Sequence, residues 1–477
     1  MKTVAFHNLG CKVNAYEMEV MQQKFTDSGY VIVPFDSIAD IYVINTCSVT
    51  NIADRKSRQM LHRAKKTNPE SVVIAAGCYS QTDTEGATGD DAVDIIIGNN
   101  RKTEIVKILE EYLKNRADNP DTQTDSPLAD KPAYKSVAVD DLSVPVSYEE
   151  SGIAGSNERT RVDIKIQDGC DQFCSYCIIP YARGRARSRD RQSVTEEVKK
   201  LADKGFKEIV LTGIHLSSYG IDLMESGSGR KLNYNTIASG ADFTNEELIR
   251  VIEDVSHIEG IRRVRLGSLE PRVITGDFLR ALSANESVCP HFHLSLQSGC
   301  DATLKRMNRH YTTDEYYEKV RLIREYFDLP AITTDIITGF PGEDEAEFMQ
   351  TVEFVRKVKF YETHIFKYSR RKGTVADTLP GQNTEAVKAL RSDVLIDICD
   401  KNREEFIRAH LGRECEVLTE EETDTASGTV LTGHTRDYIP AVIRKTGEIT
   451  PGDIVVCKAA DVLDGKLVML ESEQDMR

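Results

Sequence analysis

Hydrophobic and polar positions along the first 115 residues switch repeatedly between two periods. Short apolar runs at Val4–His7, Tyr30–Pro34, Ile41–Asn45, Val72–Ala76 and Asp94–Ile97 have the length and β-branched content of strands. Between them, Val13–Ser28, Asn51–Thr67 and Lys102–Asn115 carry the period of amphipathic helices. That alternation predicts a doubly wound α/β domain over residues 1–115. Residues 116–160, rich in Asp, Pro, Ser and Thr, read as a linker. A second alternation spans residues 161–383. Its strands are expected at Val162–Ile166, Glu208–Leu211, Arg263–Leu266, Phe292–Leu296, Ile332–Ile336 and Thr363–Lys367. Helices fit between them, notably Val194–Lys204, Asn245–Ser256 and Glu345–Lys357, and six such βα units predict an open, partial barrel. The Gly- and Ser-rich stretch Ile221–Gly240 reads as an inserted loop. A connecting helix is expected at about Thr384–His410, within residues 384–411. From 412 to 477 helical periodicity is lost. Short strands at Glu416–Leu418, Tyr438–Ile443 and Ile454–Ala459, separated by Gly-containing turns, predict a small β-barrel.

Composition narrows the setting. A chain of 477 residues suggests three or so domains. Apolar content of 40% and charged content of 29% are those of a soluble protein. No apolar run reaches the length of a membrane span, and the first residues lack a signal-peptide segment. Eleven cysteines in that context point to a reducing cytoplasm, where thiolates serve metals or catalysis. The net charge of −16 argues against general nucleic-acid affinity. Charge is local, however: Arg183, Arg185, Arg187, Arg189 and Arg191 form one tract opposed within it only by Asp190. Screening acts over about 8 Å, so such a tract can contact RNA phosphates on an acidic protein. A solvated loop is the plain alternative.

Chemistry is concentrated in the run Cys170-Asp-Gln-Phe-Cys174-Ser-Tyr-Cys177. Zinc sites use four protein ligands in paired spacings. Three close thiolates without a fourth suit a [4Fe-4S] cluster with one open iron, since such clusters are ordinarily held by four cysteines. Three buried structural cysteines are the alternative. A second set, Cys11, Cys47 and Cys78, lies just past three predicted strands. The C-terminal edge of an open α/β sheet is where ligands bind, so these three should converge on one rim. They read as a second [4Fe-4S] set, or as three small buried residues at strand ends. Cys289, Cys300, Cys399, Cys415 and Cys457 match no ligand spacing and read as structural.

The Cys170–Cys177 spacing resembles the radical S-adenosylmethionine (SAM) motif. Together with Cys11, Cys47, Cys78 and the domain order, it makes nearly the whole chain resemble the radical SAM methylthiotransferase family. The segments Asn8-Leu-Gly-Cys11-Lys-Val-Asn14, with Glu17 following, and Gly169–Arg185 resemble most the subfamily acting on threonylcarbamoyl-adenosine in tRNA. The resemblance implies a radical SAM barrel of partial (β/α)6 form and a C-terminal TRAM-type RNA-binding barrel. It implies two [4Fe-4S] clusters and SAM as cofactors. Reductive SAM cleavage at Cys170/Cys174/Cys177, sulfur delivery at Cys11/Cys47/Cys78, and a second SAM as methyl donor would then methylthiolate carbon 2 of the base. Partners would be the tRNA anticodon stem-loop, a flavodoxin- or ferredoxin-type electron donor and a sulfur donor.

The same resemblance assigns SAM contacts to Thr212 and Gly213, to Ser268 and Glu270, and to Gln297, all at strand ends where barrel chemistry sits. Strand-end turn chemistry explains each equally well. Asp335 is either a barrel-interior polar residue or a substrate contact. His215, His291 and His293 read as core or supporting residues rather than ligands. Threonylcarbamoyl carries a carboxylate, which a charged donor binds well, and Arg370 and Arg371 are the candidate donors. Isopentenyl-adenosine or a ribosomal-protein Asp are alternative substrates, and a non-enzymatic Fe–S or zinc RNA-binding protein is a different class.

Overall fold

The computed structural model describes residues 2–118, 135–144, 146–153, 160–224, 243–425, 428–445 and 447–471. The first sheet contains β1 (Thr3–Asn8), β2 (Val31–Val33), β3 (Ile41–Thr46), β4 (Val72–Gly77), β5 (Ile95–Ile97) and β6 (Ser136–Ala138). Its order is β2-β1-β3-β4-β5-β6, parallel throughout. Every residue of β3 and β4 is buried, which is why these strands read as continuous apolar runs. Helices cover both faces. α1 (Lys12–Asp27) buries Met18, Met21 and Phe25 on one face, and α2 (Asn51–Thr67) buries Leu61 and Ala64 on the other. The Thr50 hydroxyl starts α2 by accepting from the Ala53 amide at 3.1 Å.

The stretch read as a linker is corrected in part: β6 comes from it and completes the sheet, with Ser136 opposite Ile95. Three residues, Ser-Val-Ala, are too few to show a strand pattern. The inserted-loop expectation falls mostly on residues 225–242, outside the described residues; Ile221–Leu223 forms one 3-10 turn.

The second unit holds β7 (Arg161–Asp168), β8 (Arg187–Ser188), β9 (Glu208–Gly213) and β10 (Arg263–Leu266) in one sheet, ordered β10-β9-β7-β8. β11 (His291–His293), β12 (Ala331–Thr338) and β13 (Glu362–Lys367) form another. Parallel bridges Val264–Val288 and Leu269–Leu294 join the two. Six parallel strands thus form an open barrel wall, and the short β8 runs antiparallel along the edge of β7. Ile164 and Ile166 of β7 pack on Val194 and Val198 of the outer helix Arg191–Ala202. By alternation Lys165 faces inward, and there it meets Glu17 of α1 at 2.8 Å. The first helix of the N-terminal unit therefore lies against the inner wall of the barrel.

A long helix, Glu385–Arg408, capped by Thr384, leads to the last unit. There β14 (Glu414–Thr425), β15 (Gly428–Thr435), β16 (Pro440–Arg444), β17 (Ile454–Leu463) and β18 (Lys466–Glu471) close into a barrel ordered β14-β15-β16-β18-β17. It docks at the N-terminal ends of the second unit's barrel strands. Arg161 pairs with Glu420, Arg263 with Glu416 at 2.7 Å, and Arg265 donates to the Arg436 carbonyl at 2.8 Å. Ala331, the first residue of β12, enters its apolar core. Among the described residues no helix is long and apolar enough to cross a membrane.

Candidate active site between two cysteine rims

The strand order β2-β1-β3 puts a topological switch point between β1 and β3, the crevice where open α/β sheets bind ligands. Cys11 follows β1 as the residue that starts α1, and Cys47 follows β3. Cys78 follows β4 and opens α3 (Cys78–Thr82). Asn14 holds the two sides of the crevice together: its amide donates to the Leu9 carbonyl at 3.2 Å and the Thr46 carbonyl at 3.1 Å. Gly77 needs its positive φ of 106°, and a Cβ there would stand 2.8 Å from Asn45 and from the Thr46 carbonyl. The three cysteines affect one another. Burial and then Cys78 raise the Cys47 thiol to about 11, with a smaller push from Cys11. Desolvation raises Cys11, Arg183 opposes it, and Cys78 adds to it.

At the C-terminal end of β7 the same arrangement recurs. Burial, then Cys174, raises the Cys177 thiol to about 12, and burial with both neighbours raises Cys170 well above the usual thiol range. Three thiols this close cannot ionise together unaided, whereas coordination to a metal deprotonates a thiol outright. The half-buried Arg309 guanidinium already donates to Cys174 Sγ at 3.3 Å, a contact suited to a thiolate. The donor set therefore fits an iron–sulfur cluster.

A cavity of about 310 Å³ opens beside the Cys170–Cys177 loop, and Cys11, Cys47 and Cys78 are not among its lining residues. Cys170, Cys174 and Cys177 form one side, and Val49 and Thr50, just beyond Cys47, form another. Ser268 and Glu270, after β10, Gln297, after β11, and Asp335, within β12, also line it. Gln297 sits at φ 70°, held there by its amide to the Asp335 carbonyl at 2.8 Å and by the Ile337 amide to its own carbonyl at 2.9 Å. Thr212 and Gly213 end β9 just before the cavity wall. The wall there is Ile214 and His215, while Thr212 is buried and a Cβ on Gly213 would stand 2.9 Å from Gln167. Burial lowers His215 to about 4, which keeps its ring neutral near pH 7.

The arginine tract is also corrected. Arg183, Arg187 and Arg189 are buried. Arg183 donates to Asn14 at 2.6 Å and pairs with Glu17 at 2.8 Å and Asp168 at 3.1 Å. Arg187 pairs with Asp168 at 3.1 Å, and Arg189 with Glu197. Only Arg185 and Arg191 keep substantial exposure, and each meets one acid, Asp171 and Asp254 respectively. The tract is not one extended strand: the helix Ile179–Arg183 ends at Gly184, φ 73°, and only Arg187–Ser188 pairs with β7. Three of the five side chains therefore turn inward rather than forming one solvent-facing tract.

This inward turn joins the two rims. Asn99 donates to the Ala182 carbonyl at 2.7 Å and to Cys78 Sγ at 3.4 Å. Glu17 and Asp168 face four cations, Lys102, Lys165, Arg183 and Arg187, so the buried cluster carries an excess of positive charge. Burial raises the Glu17 carboxyl, but Arg183, Lys102 and Lys165 hold it well below the usual carboxylate range. Excess positive charge beside Cys11 and Cys78 suits an anionic cluster there.

Arg370 and Arg371 do not line the cavity. Arg371 is buried against Asp54, Asn51 and Ser48 of the N-terminal unit, and Arg370 binds Asp377. Both charges are already neutralised within the fold. The cations that do line the cavity are Arg309 and Lys367, which sequence reasoning passed over. Lys367 ends a strand already read correctly; the position of Arg309 three residues beyond the helix Asp301–Arg306 carried no signal.

Residues 3–98 match the uncharacterized protein family UPF0004, and residues 164–355 match the radical SAM superfamily. The threonylcarbamoyladenosine tRNA methylthiotransferase MtaB of Bacillus subtilis is 36% identical over 96% of this chain and 94% of its own. That of Aquifex aeolicus is 38% identical over 88% and 93%. A tRNA-2-methylthio-N(6)-dimethylallyladenosine synthase of Pelotomaculum thermopropionicum is 32% identical over 90% and 89%. The chain belongs to the radical SAM tRNA methylthiotransferase family. It is a sulfur-transferring enzyme whose cofactors are SAM and [4Fe-4S] clusters.

Proposed function

We propose that this enzyme converts N6-threonylcarbamoyladenosine next to the tRNA anticodon to its 2-methylthio derivative. The observation that carries this reading is the shared cavity: Thr50, beyond Cys47, and the Cys170–Cys177 loop are two sides of one space. Cys170, Cys174 and Cys177 would hold one cluster, and Cys11, Cys47 and Cys78 the other. When bound, the clusters and SAM supply the radical and the sulfur. The chain supplies position and exclusion. Asn14, Arg183 and Asn99 fix the rims relative to one another. Ser268, Glu270 and Gln297 would orient SAM, and neutral His215 would add no competing charge. Lys367 would pair with the threonyl carboxylate, which an isopentenyl group lacks. The higher identity to the two threonylcarbamoyladenosine enzymes favours that substrate over dimethylallyladenosine.

The C-terminal barrel would serve as a TRAM-like RNA-binding unit, with Arg185 and Arg191 as the phosphate contacts left open to solvent. Reading the division as N-terminal unit, barrel, connecting helix and C-terminal barrel, tRNA would span the two barrels. A low-potential electron donor, a sulfur donor and a cytoplasmic setting complete the proposal. Anaerobic reconstitution tests the cluster assignment. About eight irons per chain are expected, from two clusters of four. Replacing Cys170, Cys174 and Cys177 by Ala should halve the iron and abolish SAM cleavage. Replacing Cys11, Cys47 and Cys78 should halve the iron and leave cleavage. Unchanged iron in either triple variant overturns the assignment. Competition between tRNAs carrying each modification tests the substrate; faster modification of the dimethylallyl tRNA overturns it.

A further inference from the structure

We infer that His293, Asp335 and His364 form a binding site for a divalent first-row transition ion on the inner wall of the radical barrel, separate from both cysteine sets. The three residues lie on adjacent parallel strands, β11, β12 and β13. Register fixes their proximity: His293 stands opposite Thr333, two residues before Asp335, and Asp335 stands opposite His364. Thr334 and Ile336 are buried on the other face of β12, so alternation turns Asp335 inward. One ligand atom from each of the three residues lies within 4.8 Å of the other two.

The His293–Asp335 separation is nearer that of two ligands in a coordination shell than that of a hydrogen bond. His293 Nε2 and Asp335 Oδ2 are 3.4 Å apart. N–H···O bonds favour about 2.7–3.2 Å. The edge of a tetrahedron whose centre lies about 2.0–2.1 Å from each ligand is about 3.3 Å. His293 Nε2 is buried and has no hydrogen-bond partner among the described residues. Its other nitrogen, Nδ1, lies 3.0 Å from the Thr333 hydroxyl. A proton held on Nδ1 by that hydroxyl leaves a lone pair on Nε2 pointed at a carboxylate oxygen. Two lone pairs at this distance repel, and a cation between them removes the repulsion. A histidine whose far nitrogen is hydrogen-bonded is the usual metal-ligating form.

Two imidazoles and one carboxylate select zinc or iron(II) over magnesium or calcium, and three ligands leave a position open. Asp335 also lines the cavity, so the ion would sit in its wall. Along the sequence His293 reads as a core or supporting residue; its strand neighbours, not its spacing, reveal the set.

Zinc is the probe. The full-length protein, with both clusters reconstituted, is equilibrated with zinc, freed of loose metal and measured for zinc and iron. About one zinc per chain is expected, with a nitrogen and oxygen shell near 2.0–2.1 Å by X-ray absorption and no sulfur near 2.3 Å. His293→Ala and His364→Ala should each lose that zinc while keeping wild-type iron. Thr333→Val should weaken zinc binding about 10–100-fold, the usual cost of removing the group that orients a ligating histidine. If His293→Ala also loses iron, the exposed His364 reports alone. No zinc in the wild type, a sulfur shell, or zinc unchanged in His364→Ala would each overturn the inference. None of these readouts depends on the substrate or on turnover.

Discussion

Arg183 and Glu17 belong to different structural units, yet the guanidinium and carboxylate meet at 2.8 Å with 0% and 6% side-chain exposure. Arg183 also touches Asn14, the side chain that ties the ends of β1 and β3. One residue just after the Cys170–Cys177 loop thus fixes the rim that carries Cys11 and Cys47. Removing one partner of a buried pair leaves an uncompensated charge and costs about 3–5 kcal/mol. Glu17→Gln should therefore lower unfolding stability by that amount, and Arg183→Ala by a similar one. Denaturant unfolding checks this. A change below about 0.5 kcal/mol, the level of an ordinary surface substitution, would show that the interface does not depend on the pair.

Arg309 donates into Cys174 Sγ from the cavity wall, and desolvation opposes its charge while Tyr311 and Cys174 favour it. Hydrogen bonds to cluster sulfurs help set reduction potentials. A donor stabilises the more negative, reduced form, so its loss should lower the potential. Arg309→Gln should shift the midpoint of the Cys170/Cys174/Cys177 cluster negative by an amount on the order of tens of millivolts. Spectroelectrochemical titration of the reconstituted protein reads it. An unmoved midpoint would mean the contact is structural only.

Arg185 and Arg191 remain the exposed members of the tract, with side-chain exposures of 57% and 45%. Arg185 also stacks 4.5 Å over the ring of Phe173, itself in the cysteine loop. If both reach phosphates, replacing each by Ala should flatten the salt dependence of tRNA binding by roughly 0.7–0.9 in log–log slope. Arg187→Ala should instead reduce stability, because its partner Asp168 is buried. Equal slopes for Arg185→Ala and wild type would take Arg185 out of the RNA interface.

Legibility in the sequence followed burial and length. α2 was expected at Asn51–Thr67 and β10 at Arg263–Leu266, and both stand there, because strong periodicity and clear flanks marked them. β6, β15 and β18 were missed. β6 is three residues long, and β15, Gly428–Thr435, mixes Gly, Thr and His with few apolar positions. β18, Lys466–Glu471, follows the turn read at Asp464-Gly, and its six residues at the chain's end were not picked out. The cysteine motifs were legible because their chemistry needs particular residue types. The buried side of the arginine tract was not, since neither the Gly184 turn nor the Asp168 and Glu17 partners is visible along the chain. Likewise the His293, Asp335 and His364 set exists only through strand register.

Glu208 sets how the C-terminal barrel responds to acid. Its carboxylate joins Arg265 at 2.8 Å and Arg263 at 3.3 Å, the two arginines that reach Arg436 and Glu416 of that barrel. Burial pushes the Glu208 carboxyl up, but Arg265 and Arg263 outweigh it and hold it at about 2, against an ordinary value of 4.5. A depressed folded value contributes stability above the unfolded value and loses it as pH falls. The contribution is therefore complete above 4.5 and lost progressively toward about 2. A depression of this size corresponds to about 3 kcal/mol. Other buried carboxylates, Glu17 and Asp168 among them, titrate in the same direction, so the comparison must be with Glu208→Gln. The stability difference between the wild type and Glu208→Gln should fall toward zero as the pH is lowered from about 5 to about 2. Urea unfolding at a series of pH values, followed by a probe in the C-terminal barrel, measures it. A difference that stays constant across that window would mean that Glu208 holds its arginines without being ionised, and the electrostatic account of this interface would be wrong.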